Sequence, residues 1–292
     1  MNKENLKKFI ENRTDLKYLK HASNILTKIN NWGELKSDQQ TALLIIGNKY
    51  VDFLIQNDKL IGFSKKIVEK RVVLLNNYYD FLNDRGYYNT FSSQGKFRST
   101  ILEEFMYLLL RDLIESKKAD ITTEAKEKLQ LGSSKAYTSL FFSGTDLVGF
   151  LESPQIVVND KAQDFAIYRP ISLKIEDGSS TETNLPIVSI ENKTYIDKTM
   201  LEGAVATAEK IKFGNPYSLY YIVTENYDVD LQVDPIYSRI DQIYVLRKSK
   251  RKGVLQPIDA NVVYGLVNDI KEHLERDWSN VEKKMKETGK IL

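Results

Sequence analysis

The chain has 292 residues, 42% of them hydrophobic, a net charge of +2, no cysteine and two histidines, which is enough for one large packed domain or two small ones. The missing Cys excludes thiol nucleophiles and Cys/His zinc sites. His21 and His273 lie in helical, charged stretches and read as surface or satisfied residues, so carboxylates with a metal are the main chemistry left. A charge this small does not announce nucleic acid, so any polyanion site must come from local clustering.

The first residues, Met1 to Lys8, lack the apolar run of a signal peptide. No window reaches the roughly 18 apolar residues of a membrane span, so a soluble cytoplasmic protein is expected. From there to about Asp84, apolar residues such as Leu6, Ile10, Ile25, Ile29, Leu43, Ile46, Tyr50 and Leu54 recur at three- and four-residue steps. This predicts a helical region, with a further helix from about Lys66 to Leu82 and turns at Asn30–Gly33 and Ile61–Ser64.

Between Asp84 and Thr100 the composition shifts to Gly, Ser, Asn, Gln and Tyr, with Lys96 and Arg98 inside the stretch. That reads as a loop, either a plain linker or a basic, aromatic loop that contacts phosphates. The helix from Ser99 to about Ser116 carries Ile101, Leu102, Phe105, Met106, Leu109, Leu110 and Leu113, apolar around most of its circumference, and should be central. Its acids Glu103 and Glu104 are either first-turn carboxylates that favour the helix dipole, or one of them points toward Asp164 and Glu191.

A short helix around Glu124–Leu129 follows, then Gly132–Tyr137 leading into a strand at Ser139–Phe142, and a short helix closing at Phe150–Pro154. In Ala162–Tyr168, strand alternation sets Asp164 with Ala162 and Ala166, opposite Phe165 and Ile167. The polar excursion Lys174–Asn184 is an extended hairpin tip or a loop that orders on a ligand. Pro186–Tyr195 then reads as a buried strand ending in two charges, with Val188, Ile190 and Asn192 on one face and Ser189, Glu191 and Lys193 on the other.

A carboxylate and an ammonium so placed would each cost several kcal/mol if buried unpaired. A metal site resolves the conflict: Glu191 offers oxygen to a hard cation such as Mg²⁺, and Lys193 faces an oxyanion or an attacking water. Glu-x-Lys also occurs at Glu34, Glu115, Glu124 and Glu282, all helical or flanking helices. Strand context and the upstream Asp164, separated by enough chain for a strand, a turn and a return strand, distinguish the copy at Glu191.

Asp197–Lys212 is an amphipathic helix stopped at Phe213–Pro216. With the strands Tyr217–Thr224 and Gln242–Arg247, it favours a parallel pair joined by a helical crossover. The dense positive run Arg247–Lys252 is a solvated loop, or it grips a phosphate backbone through Lys248, Lys250 and Arg251. Helices from about Asn261 to Trp278 and Asn280 to Glu287 end the chain. The fold class is α/β, a mixed central sheet flanked by helices, with an N-terminal helical region.

An acid on one strand, Glu-x-Lys on the next, a preceding acidic helix and a following helix resemble the signature of PD-(D/E)xK nucleases. Ile101-Leu-Glu-Glu-Phe105, Val188 through Lys212, Pro216-Tyr217 and Ile240 through Arg247 are similar to stretches of the BbvCI-like Type II restriction endonucleases. The likeness spans about Ile101 to Trp278. Gln163 stands where the signature has Pro.

The resemblance implies a restriction-endonuclease-like core over residues 91–292; it does not cover the helical region of residues 1–90, which is a candidate for DNA binding or dimerisation. It makes Asp164 and Glu191 the Mg²⁺ ligands, Lys193 the residue that orients or polarises the water, and Glu104 a supporting acid, a place Glu103 could take instead. Lys96, Arg98, Lys248, Lys250 and Arg251 are the DNA-binding candidates. The implied activity is Mg²⁺-dependent cutting of double-stranded DNA at a short specific sequence, with a second nuclease subunit, identical or related, supplying the other site.

Overall fold

A computed structural model of the chain describes residues 1–91, 96–176, 179–252 and 254–291. Four helices come first, α1 (Lys3–Glu11), α2 (Lys20–Asn30), α3 (Ser37–Asp58) and α4 (Lys65–Asp84), followed by the single turn α5 (Tyr87–Thr90) and the long α6 (Lys96–Ala119). The order continues α7 (Thr123–Lys126), β1 (Gln130–Ser143), α8 (Leu147–Glu152), β2 (Gln155–Lys174), β3 (Ser180–Ile196), α9 (Lys198–Gly214), β4 (Leu219–Tyr227), β5 (Gln242–Val245), α10 (Ala260–Glu275) and α11 (Val281–Thr288). Among the described residues, no helix is long and apolar enough to cross a membrane.

The five strands form one sheet in sequential order. β1 and β2, and β2 and β3, pair antiparallel, whereas β3, β4 and β5 run parallel. The sheet is therefore mixed, with α9 as the crossover between β3 and β4. Asp197 starts α9 by accepting the Met200 N–H at 2.9 Å, an N-cap that satisfies one of the donors a helix start leaves over.

Strand alternation sorts the sheet into two faces. Val188, Ile190, Tyr221 and Val223 join the larger core with α6 and the N-terminal helices. Ala136, Tyr220 and Ile222 join the smaller core under α9. α9 reaches β1 closely enough that a Cβ at Gly214 would lie 2.3 Å from the Thr138 carbonyl oxygen, so only Gly fits there.

α6 is as central as its composition implies: Ile101, Leu102, Phe105, Met106, Leu109, Leu110 and Leu113 are all buried. It begins earlier than expected, so Lys96 and Arg98 belong to its first turn and not to a loop. The reason is Phe97, buried at 1% exposure, which extends the stripe of Ile101 and Phe105 one turn upstream. Residues 92–95 lie outside the described residues, as does the Lys96 side chain.

One further stretch differs from the sequence reading, and one alternative left open there is decided. Gly132–Tyr137 is already strand, paired with β2, because that pairing and the alternate burial of Ala136 and Thr138 outweigh its small, polar composition. The excursion after Lys174 is an extended hairpin, with Lys174 opposite Ser180 and Ile171 opposite Thr183; Asp177 and Gly178 lie outside the described residues. This hairpin curls back onto β1, where Ala136 pairs with Asn184.

Candidate active site

The antiparallel register of β2 and β3, with Phe165 opposite Ile190, sets Asp164 beside Glu191. Asp164 Oδ2 accepts the Asn192 backbone N–H at 2.8 Å, which fixes its carboxylate on the neighbouring strand. Lys193 Nζ lies 2.8 Å from Glu191 Oε1. The other Glu191 oxygen, Oε2, accepts the hydroxyl of Tyr220 from β4. Glu191 and Lys193 stay partly open to solvent, at 25% and 32% side-chain exposure, as a site that admits a substrate requires.

Burial raises the Asp164 carboxyl above the ordinary carboxylate range; the Asn192 N–H and Lys193 oppose this, and repulsion from Glu191 adds to it. Burial works against the charged form of Lys193, yet its hydrogen bond to Glu191 and the charges of Glu191, Asp164 and Glu103 hold its pKa above the usual lysine value. Lys193 is thus an ammonium at neutral pH. Glu103 is pushed up to about 7, first by burial and then by Asp164, with Lys20 and Lys193 pulling the other way.

Those mutual effects place Glu103, not Glu104, at the cluster. Adjacent residues of a helix point about 100° apart, and the one that faces Asp164 leaves its neighbour facing the N-terminal helices. Glu104 is 1% exposed. Its Oε2 accepts the N–H groups of His21 and Ala22 at 2.8 and 3.0 Å, and its Oε1 accepts the Tyr50 hydroxyl at 2.7 Å. The expectation that Glu104 supports the site directly is therefore corrected: it caps α2. By pinning that helix it carries Lys20 to where its charge favours ionised Glu103 and Asp164.

The basic candidates separate. Arg98 donates to Glu225 Oε2 at 2.8 Å, shares it with Arg247 at the same distance, and lies 4.7 Å from the Tyr88 ring centroid. It is a structural cation, tying α6 to β4 and β5. Lys248 pairs with Asp259, Lys250 is exposed, and the Arg251 guanidinium stacks 4.1 Å over the ring of Tyr195, two residues beyond Lys193 on the same strand face.

Both histidines belong to the core. His21 Nε2 lies 2.8 Å from the Tyr78 hydroxyl and Nδ1 lies 3.1 Å from that of Thr100, and burial lowers its pKa to about 3. His273 stacks on Trp278 at 4.9 Å. The reading from sequence missed Tyr220 and Lys20. Tyr220 had a signal, since a tyrosine in a buried strand needs a partner for its hydroxyl; Lys20 had none.

Among the described residues, no group of three or more His, Cys, Asp or Glu is arranged as a metal-binding set. The donors nevertheless fit a hard divalent cation, because Asp164 and Glu191 offer carboxylate oxygen on adjacent strands. Burial raises Asp164 most and the charge of Glu191 adds to it; a cation would relieve that repulsion.

A solved structure described as the native BbvCI A2B2 tetramer at low resolution has the same fold. It aligns with a TM-score of 0.67 at 21% identity, covering 88% of this chain and 95% of that one. The fold is thus that of a restriction endonuclease. Residues 94–255, more than half of the chain, match the family model of the Bpu10I restriction endonuclease, and the chain belongs to that family. No curated protein matches it.

Proposed function

We propose that the chain is a Type II restriction endonuclease that hydrolyses phosphodiester bonds in double-stranded DNA at a specific sequence, with Mg²⁺ held by Asp164 and Glu191. The observation that carries this reading is the convergence of Asp164, Glu191 and Lys193 on one strand pair, with the Lys193 ammonium 2.8 Å from Glu191. When bound, the cation neutralises charge at the scissile phosphate and favours deprotonation of water.

The residues of the chain supply the rest. Lys193 stays charged and donates to the attacking water or to a phosphate oxygen, where a fixed ammonium stabilises charge that develops in the transition state. Tyr220 holds the Glu191 carboxylate from behind, and the Asn192 N–H holds that of Asp164. Lys20 and Arg251, at the edges of the cluster, suit contacts to flanking phosphates, which position the duplex without reading its sequence.

One cluster of this kind cuts one strand, so a second nuclease chain is required for a double-strand break. The A2B2 assembly of the BbvCI structure is in keeping with that need. The test is incubation of the purified chain with a mixed DNA library, with and without Mg²⁺. Discrete fragments support a site-specific enzyme, a smear indicates a nuclease without sequence specificity, and intact DNA refutes cleavage by this chain alone.

A further inference from the structure

Polar side chains from five places in the chain meet between the N-terminal helices and the sheet. α4 supplies Tyr79, α5 supplies Tyr88, the first turn of α6 supplies Arg98, β4 supplies Glu225, and Arg247 follows β5. The two phenol rings have centroids 6.2 Å apart. The Arg98 guanidinium lies 4.7 Å from the Tyr88 centroid and that of Arg247 lies 5.3 Å from the Tyr79 centroid. Both guanidiniums donate to Glu225 Oε2 at 2.8 Å. Tyr79 and Glu225 are fully buried, the Arg247 side chain is 2% exposed, and Arg98, at 30%, is the side that meets solvent.

Several polar atoms of this cluster are satisfied by no protein group. The Tyr79 and Tyr88 hydroxyls, Arg98 Nε, Arg247 Nη2 and Glu225 Oε1 are all buried and make no hydrogen bond within the protein. Buried polar atoms are nearly always bonded, so five of them side by side point to something they bind together. Four of the five donate. Burial raises the pKa of both phenols, which therefore keep their protons, and a guanidinium has no acceptor to offer.

Charge separates a water from an ion. Two guanidiniums against one carboxylate leave one positive charge uncompensated inside the cluster; Asp80, a further acid whose charge reaches Tyr88, is exposed to solvent. A water molecule would satisfy the donors and leave that charge in place. A monovalent anion does both, and an unpaired buried charge is the costlier of the two defects. Enclosure sets the size: Tyr79, Glu225 and Arg247 lie too deep to meet the phosphates of a duplex, whereas a single small ion needs no surface of its own.

We infer that Arg98, Arg247, Tyr79 and Tyr88 form a structural binding site for a small monovalent anion of halide size. The ion accepts from the two guanidiniums and the two hydroxyls, and a water bridges it to Glu225 Oε1. Bound there, it braces α4, α5 and α6 against the parallel half of the sheet. Glu225 alternates with Tyr221 and Val223 on the face of the larger core, whereas Tyr220, which holds Glu191, belongs to the opposite face. The ion therefore acts on stability and lies apart from the strand carboxylates, and the inference does not depend on the nuclease reading.

The test uses the full chain in thermal melts, with sodium chloride replacing sodium gluconate at constant ionic strength. Once chloride exceeds its dissociation constant, the natural chain should gain about 2 °C for each further tenfold rise. Arg98→Gln leaves a neutral Arg247–Glu225 pair and should lose this dependence. Tyr88→Phe keeps the charges but removes one donor, so its dependence should begin at about tenfold higher chloride. Crystals soaked in sodium bromide supply a readout on the natural chain, an anomalous peak in contact with Arg98 Nε and Arg247 Nη2. A water at that place without bromide overturns the inference, as does the same chloride dependence in Arg98→Gln. A bromide peak with no effect of chloride on melting would mark an adventitious ion only, and overturns it too.

Discussion

Glu104 Oε2 accepts the backbone N–H of His21 at 2.8 Å, a bond that ties the centre of the nuclease core to the first turn of α2. Burial pushes the Glu104 carboxyl up to about 7, against the hydrogen bonds from Tyr50, Ala22 and His21 that favour its ionised form. Its folded pKa is thus above that of the unfolded chain, which binds its proton less tightly. The stabilisation from protonated Glu104 is complete below about pH 4.5 and is lost as the pH rises through 7, an effect on the order of 3 kcal/mol. Denaturant unfolding of the natural chain and of Glu104→Gln between pH 5 and 8 checks this, and the variant should show the flatter profile. Glu104→Ala leaves three buried donors without an acceptor and should cost about 3 kcal/mol above pH 7, and more at lower pH, where the natural chain gains the stabilisation of the protonated carboxyl.

Glu191→Ala and Lys193→Ala should each reduce cleavage on the order of 10³-fold with the fold intact, since both serve the site and neither is in the core. DNA binding by Glu191→Ala should persist or tighten, because one negative charge facing the phosphates is gone. Single-turnover cleavage and filter binding separate the two effects. Near-natural cleavage by either variant would remove that residue from the catalytic set.

Tyr220 acts through Glu191, so Tyr220→Phe is expected to lower kcat about tenfold at unchanged KM, the consequence of losing one hydrogen bond of about 1.5 kcal/mol to a charged group. Raising the Mg²⁺ concentration should recover part of the rate if the hydroxyl aligns the carboxylate for the cation. A purely structural role would instead lower the melting temperature and leave the metal dependence unchanged.

Lys20→Gln should weaken cleavage about tenfold, because it removes the cation that the N-terminal helices bring to Glu103 and Asp164 and, on this reading, to a flanking phosphate. Lys20→Arg should restore most of the loss. A rate indifferent to both changes would leave the N-terminal region without a part in the chemistry.

Neutralising Lys248, Lys250 and Arg251 together should weaken binding to all DNA sequences and flatten the log–log salt dependence by about 0.9 for each phosphate that no longer meets a cation. Lys248 is held by Asp259 and Arg251 lies over Tyr195, so Lys250→Gln/Arg251→Gln should carry most of the change. An unchanged slope would make the run a solvated loop.

Much of the strand chemistry was legible in the sequence because alternation is a local rule. Once Glu191 and Lys193 share a face, the only long-range fact needed is the register that brings up Asp164. The choice between Glu103 and Glu104 was not legible, since both lie on a helix apolar on nearly every side and the decision rests with α2, some eighty residues earlier. The start of α6 was hidden by the Gly, Ser and Gln before it, although Phe97 belonged to its apolar stripe. Arg98 was misread for a similar reason: its partner Glu225 is on β4, in a strand whose apolar neighbours gave no hint of a buried carboxylate.

The continuous core has a practical consequence for protein production. Phe105, Met106 and Leu109 of α6 lie in the same cluster as Leu6, Ile25, Tyr50 and Leu75 of the N-terminal helices. A fragment beginning near residue 91 would expose that side of α6 to water along most of its length and leave Glu104 with none of its three donors. Such a truncation should elute in the void volume of a sizing column, while the intact chain runs as a compact particle. On the proposed function, an inactive form is therefore better made by point substitution at the strand carboxylates than by trimming.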